Sequence, residues 1–216
     1  MQSHHLIVSR TARYYTLGEP GPHIQYCWLA CHGYAQLAGH FIRKFESILD
    51  PATLVIAPEG LSRFYWQGMG GSVGASWMTK EDRLVEIDDH CNYLQTLYEQ
   101  YTAQIPAKAK IIIAGFSQGC ATVLRWMVRH QPHFDHLILW AGNLPDDIDY
   151  QAYQDYFSGK GIHYIYGLSD EYITPERSES LQELLRNSGM RVNMMTFEGK
   201  HELDRDTLVH WANNFL

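Results

Sequence analysis

The sequence predicts an α/β fold, with a mostly parallel central sheet, helices on both faces and no large cap domain. Short β-branched or aromatic runs alternate with longer segments of helical pattern, the signature of strands joined by crossover helices. The chain has 216 residues and 45% apolar content, enough to bury a substantial core within the size range of one α/β unit, so residues 1–216 are expected to form one domain. No internal repeat, low-complexity segment or linker-like run divides it.

Strands are expected near Ala12–Leu17, Ile24–Ala30, Thr53–Ala57, Lys110–Ala114, His136–Trp140, His163–Tyr166 and Arg191–Phe197. The first two lie close enough in sequence to suggest an antiparallel edge. Helices are expected near Leu37–Leu49, Arg83–Gln104, Gly119–Arg129, Pro175–Asn187 and Asp204–Asn213. Pro175 suits a first helical turn, Ser188-Gly189 a helix end, and Pro132 follows the end of another helix after His130-Gln131. Between residues 58 and 80, PEGLSRFYWQGMGGSVGASWMTK reads as a long irregular loop rich in glycine and aromatic rings, a kind of loop that is usually functional or disordered.

A formal net charge of −7 leaves no basic surface to neutralise a phosphate backbone, which argues against nucleic acid as a partner. The first residues, MQSHHL, lack the basic start and apolar core of a signal peptide, and no apolar run approaches the roughly 18 to 20 residues needed to cross a bilayer. A cytoplasmic protein is the expectation. Cys27, Cys31, Cys91 and Cys120 sit in apolar segments, the setting of reduced core thiols. Cys27, Cys31 and His32 lack the second ligand cluster a zinc site would need, and Pro132 breaks any helix that would align His130, His133 and His136.

The chemistry centres on IIIAGFSQGCATVL, residues 111 to 124. A serine flanked by glycines two positions away on each side, after a buried strand and before a helix, is the nucleophile-elbow arrangement. The turn lifts the Ser117 hydroxyl out of the sheet edge, while Gly115 and Gly119 avoid collisions that a Cβ would cause. A serine hydroxyl needs a base, and the base needs a carboxylate to fix its tautomer. Asp170 in YIYGLSDEYITPE and His201 in MMTFEGKHELD each follow a strand, in the order nucleophile, acid, histidine. One strand intervenes between those preceding Ser117 and Asp170, so three loops meet over the carboxyl ends of the sheet. Asp146 and Asp147, after the intervening strand, are the alternative acids. The amide of Gln118 and that of Tyr34, after the His32-Gly33 turn, are the expected oxyanion donors.

HGY, GFSQG, GLSDEYITP and GKH together resemble the phospholipase/carboxylesterase branch of the α/β-hydrolases, which includes acyl-protein thioesterases and small bacterial carboxylesterases. Gln118, Trp77 and the proline five residues after Asp170 also sit where that branch has similar residues. The resemblance implies a serine hydrolase of carboxylic esters or thioesters, with Ser117, Asp170 and His201 as triad and the amides of Tyr34 and Gln118 as oxyanion hole. The chain departs from the family after His32-Gly33, where Tyr-Ala-Gln replaces the usual glycine and aspartate, and around Phe64, Tyr65 and Trp66. Both departures fall where substrate is held.

Tyr65, Trp66 and Trp77 are candidate walls of an acyl or alcohol pocket, with plain core packing as the alternative for each ring. The expected partner is a small-molecule ester or thioester, turned over without cofactor or metal; the sequence leaves a homodimer open. Alternative readings are an acyl-protein thioesterase or lysophospholipase, and a non-catalytic binding protein on the same scaffold.

Overall fold

The computed structural model describes residues 1–173, 179 and 190–216. The helix expected over residues 175–187 lies outside the described residues, apart from Glu179.

Among the described residues, seven strands form one sheet in the order β1-β3-β2-β6-β7-β8-β9. They are β1 (Tyr14–Leu17), β2 (Tyr26–Cys31), β3 (Thr53–Pro58), β6 (Lys110–Phe116), β7 (His136–Trp140), β8 (Gly161–Gly167) and β9 (Val192–Phe197). All neighbours are parallel except β1, which runs antiparallel to β3 with Tyr14 opposite Pro58 and Leu17 opposite Val55. The antiparallel edge is therefore real, but its partner is β3 and not the adjacent β2. Five residues of β2, Cys27 to Cys31, are buried, and β2 pairs in parallel with both β3 and β6, so β1 is left the outer edge of β3.

The alternation of side chains along β2 shows why the strands read as continuous apolar runs. Cys27, Leu29 and Cys31 enter the layer built with Leu94, Val123 and Trp126, whereas Trp28 and Ala30 enter the opposite layer with Phe45, Ile138 and Trp211. Helices α2 (Arg83–Thr102) and α3 (Gln118–His130) cover the first face, and α5 (Arg205–Phe215) covers the second. A shorter α4 (Gln154–Phe157) lies between β7 and β8. The α5 start is capped by Asp204, whose Oδ2 accepts the Thr207 amide at 2.8 Å.

Two regions differ from the sequence reading. The helix expected over Leu37–Leu49 is a single α-turn, α1 (Ala38–Phe41), continued by a 3₁₀ stretch over Ile42–Ile48. Ile42, Phe45 and Ile48 recur every third residue, and three residues per turn puts them on one line against the core. Residues 58 to 80 are not an irregular loop. They fold into an antiparallel hairpin of β4 (Ser62–Tyr65) and β5 (Val73–Ser76), with Arg63 opposite Ala75. Glycines at 70, 71 and 74 mask the period-two pattern.

Candidate active site

Ser117 lies between β6 and α3 with φ 53° and ψ −118°, a strained conformation for a residue with a side chain. Its amide donates to the Trp140 carbonyl of β7 at 2.8 Å, which pins the turn to the neighbouring strand. The flanking glycines are sterically required. A Cβ on Gly115 would stand 2.5 Å from the Gly119 carbonyl oxygen, and one on Gly119 would stand 2.2 Å from that of Cys31. The strand and the helix can pack this closely only without those atoms.

The structure brings Ser117, His201 and Asp170 together. His201 Nε2 is 2.9 Å from Ser117 Oγ, and Nδ1 is 2.8 Å from Asp170 Oδ2. Since a carboxylate only accepts, Nδ1 carries the hydrogen and Nε2 is left to accept from the serine hydroxyl. Asp170 is buried, and its Oδ1 accepts the Tyr172 amide at 2.9 Å. The imidazole is held between rings, 5.1 Å from Phe116 and edge-on to Tyr172 at 4.6 Å.

Asp147, one of the alternative acids, is engaged elsewhere. Its carboxylate accepts from Arg125 at 2.9 Å and Arg83 at 2.7 Å. Burial works against its charge, but those two guanidiniums hold the carboxyl below the usual range.

The amides of Tyr34 and Gln118 have no acceptor among the described residues, and both residues line a cavity of about 380 Å³ together with Ser117 and His201. The turn carrying Tyr34 is made by His32-Gly33, as the sequence suggested, and is fixed further by residues the sequence did not single out. His32 is buried, its Nε2 accepts the Gly60 amide at 2.9 Å and its Nδ1–H donates to the Gly33 carbonyl at 2.7 Å. Burial lowers its pKa and keeps the ring neutral, the form this pair of bonds requires. The Gly33 amide donates to Gln36 Oε1 at 2.9 Å, and Ala35 and Gln36 pair with Ala75 of β5.

Beneath the turn lies Glu59, buried at the end of β3. It accepts from Arg13 at 2.7 Å, from Arg63 at 3.3 Å and from the Ala38 amide at 3.1 Å. A charged residue directly after the apolar run TLVIAP was the available signal for it.

The three candidate wall residues separate. Trp66 lines the cavity, half-exposed and grouped with Tyr34 and Phe64, whose rings stack at 5.2 Å. Tyr65 alternates to the other side of β4, is exposed and is absent from the lining. Trp77 is buried behind the wall, where its Nε1 donates to the His32 carbonyl at 2.9 Å and its amide donates to Gln118 Oε1 at 3.2 Å. Ala121, Ala141, Gly142, Asn143, Tyr172 and Ile173 complete the described lining and were not picked out from the sequence. All four cysteines are buried and unpaired; burial pushes the Cys27 thiol up to about 12 and the Cys31 thiol well above its ordinary value. Among the described residues no group of three or more His, Cys, Asp or Glu is arranged to hold a metal ion. No helix of the described residues is long and apolar enough to cross a membrane.

A mostly parallel sheet with no separate cap, carrying its polar side chains on the loops beyond the strands' carboxyl ends, defines an α/β-hydrolase. The phospholipase/carboxylesterase family profile matches residues 29–216, and the chain belongs to that family. It is a hydrolase of the esterase type that this family comprises. Among solved structures it is similar to acyl-protein thioesterase 2 from Zea mays (16% identity, TM-score 0.71), with 94% of this chain and 97% of that one covered. It is similar also to esterase PE8 (19% identity, TM-score 0.67, 94% and 97% covered) and to a phospholipase/carboxylesterase from Dyadobacter fermentans (18% identity, TM-score 0.66, 96% and 98% covered). At these identities the likeness speaks to the fold. No curated protein sequence matches the chain.

Proposed function

We propose that the protein is a carboxylesterase-type serine hydrolase that cleaves a small carboxylic ester or thioester through an acyl-enzyme on Ser117. The observation that carries this reading is the continuous pair of short contacts from Ser117 Oγ to His201 to Asp170. His201 takes the serine proton as Oγ attacks the carbonyl carbon, and returns it to the departing alcohol or thiol. Asp170 holds the imidazole in the productive tautomer and stabilises the imidazolium. The free amides of Tyr34 and Gln118 receive the oxyanion, with the α3 start behind them. Water then attacks the acyl-enzyme, with His201 again as base.

The acyl group fits the cavity bounded by Trp66, Ala121, Tyr172 and Ile173. Residues from β2 to the loop after β9 contribute to this one site, so we take residues 1–216 as one catalytic unit. The free, buried cysteines suit a reducing compartment, and the cytoplasm is the setting we propose. The test is steady-state hydrolysis of 4-nitrophenyl butyrate by the wild type and Ser117→Ala. A loss of about 10⁴ in kcat, with folding unchanged, supports the reading. Retained turnover by a clean variant preparation contradicts it.

A further inference from the structure

A second cavity, of about 600 Å³, also touches His201. Gln36 and Leu37 of the oxyanion turn, His40 and Lys44 of the first helical segment and Val73 of the hairpin line it, whereas Ser117 and Gln118 line only the first cavity. The histidine is thus the side chain common to a cavity that holds the nucleophile and one that does not. Chemistry assigns the two. The acyl carbon stays bonded to Ser117, while the group that leaves must lie against the imidazole that protonates it.

The second lining also carries charge. Lys44 and His40 are exposed on the same helical segment, four residues apart, and neither the Lys44 ammonium nor the His40 ring makes an ion pair or hydrogen bond with the described residues. Among the described residues the one carboxylate on this lining is Glu202, which turns an oxygen toward Gly199, 3.3 Å from where a Cβ on that glycine would sit. Beside the polar Gln36 and Ser72, the side chains of Leu37, Phe41, Val73 and Leu203 form an apolar stretch that suits a short hydrocarbon link between the reacting atom and a charged end.

We propose that this cavity is the leaving-group site, and that Lys44, assisted by His40, selects an alcohol or thiol carrying an anionic group. The inference rests on the serine-hydrolase reading. For a thioester, Ser117 Oγ forms the new C–O bond and the C–S bond breaks. The serine proton passes through His201 Nε2 to the sulfur, and the anionic thiol departs past Lys44.

The test uses butyryl thioesters of 6-mercaptohexanoate, of 6-mercaptohexanamide and of thiocholine, with the released thiol read by a disulfide chromogen. The buried cysteines keep the background low. The ratio of kcat/KM for the carboxylate to that for the amide cancels differences in acyl group, and its change between enzymes cancels intrinsic reactivity. The expected ratio is about fivefold higher in the wild type than in Lys44→Ala, falling as salt is added, and Lys44→Glu shifts preference toward thiocholine. An unchanged ratio in Lys44→Ala overturns the inference while leaving the esterase reading intact. So does a wild-type preference for thiocholine that Glu202→Gln removes. Amide-thioester turnover that survives Ser117→Ala contradicts the esterase reading itself, and the inference falls with it.

Discussion

Glu59 accepts the Ala38 amide at 3.1 Å, and that one bond links the end of β3 to the segment that follows the turn carrying Tyr34. The carboxylate is buried, while its two guanidinium partners, Arg13 and Arg63, are over 40% exposed at their side chains. In Glu59→Ala the arginines can return to water, but the acceptor for the Ala38 amide and the charge match are lost. The expected cost is about 2 kcal/mol in urea unfolding, with a fall in kcat and little change in KM. Unchanged kcat would mean that the turn holds its shape without Glu59.

Asp170→Asn stabilises the wrong histidine tautomer and should lower kcat by about 10³ to 10⁴. Asp147→Asn should leave the rate nearly unchanged, because its partners are Arg83 and Arg125. Its cost should appear instead as about 2 kcal/mol of stability, since Arg125 is buried and keeps its charge. Parallel kinetics and unfolding curves separate the two aspartates, and a reversed pattern would move the acid to the loop after β7.

Trp66 and Trp77 should behave oppositely. Trp66→Ala removes a half-exposed wall and should raise KM with the melting temperature nearly unchanged. Trp77→Ala empties a buried site and should cost about 3 to 5 kcal/mol. With the wild type, the partly open cavity can desolvate only a few methylenes, each worth up to ~0.8 kcal/mol. The kcat/KM for 4-nitrophenyl esters should therefore peak at an acyl chain of about two to six carbons. A steady gain out to sixteen carbons would require a groove that extends beyond the Trp66 wall.

Stability should fall on acidification through buried histidines. Burial pushes His90 down to about 4, and burial with the charge of His136 does the same to His163. In the unfolded chain both take up protons near pH 6.5, while in the folded protein they do so only near pH 4. Their stabilisation is therefore complete above pH 6.5 and is lost as pH falls toward 4, at up to about 1.4 kcal/mol per pH unit for each ring. Urea midpoints taken from pH 7.5 to pH 4.5 test this. A flat profile would mean that both rings charge in the folded state without penalty.

The residues of the candidate site were legible because each stood at a strand end with its own local signal. Ser117 had flanking glycines at a strand-to-helix junction, and Asp170 and His201 each followed an apolar run. Order along the chain then placed them on one edge of the sheet. The hairpin over residues 62–76 was hidden by its glycines, and β1 found β3 because pairing within a sheet depends on contacts that sequence adjacency does not encode. The division of labour among the aromatics was equally non-local. Trp66 and Trp77 lie in the same glycine-rich stretch, and it is the approach of residues distant in sequence, His32 at 5.0 Å and His90 at 6.2 Å between rings, that makes Trp77 core.

The most direct measurement is mass-spectrometric mapping of the protein after reaction with a fluorophosphonate, which phosphonylates only a serine activated by its base. One adduct per chain is expected, on the peptide containing Ser117, with labelling slowed by orders of magnitude in His201→Ala and near the wild-type rate in His133→Ala. An adduct on another residue, or labelling of Ser117 that is indifferent to His201, would contradict the serine-hydrolase reading.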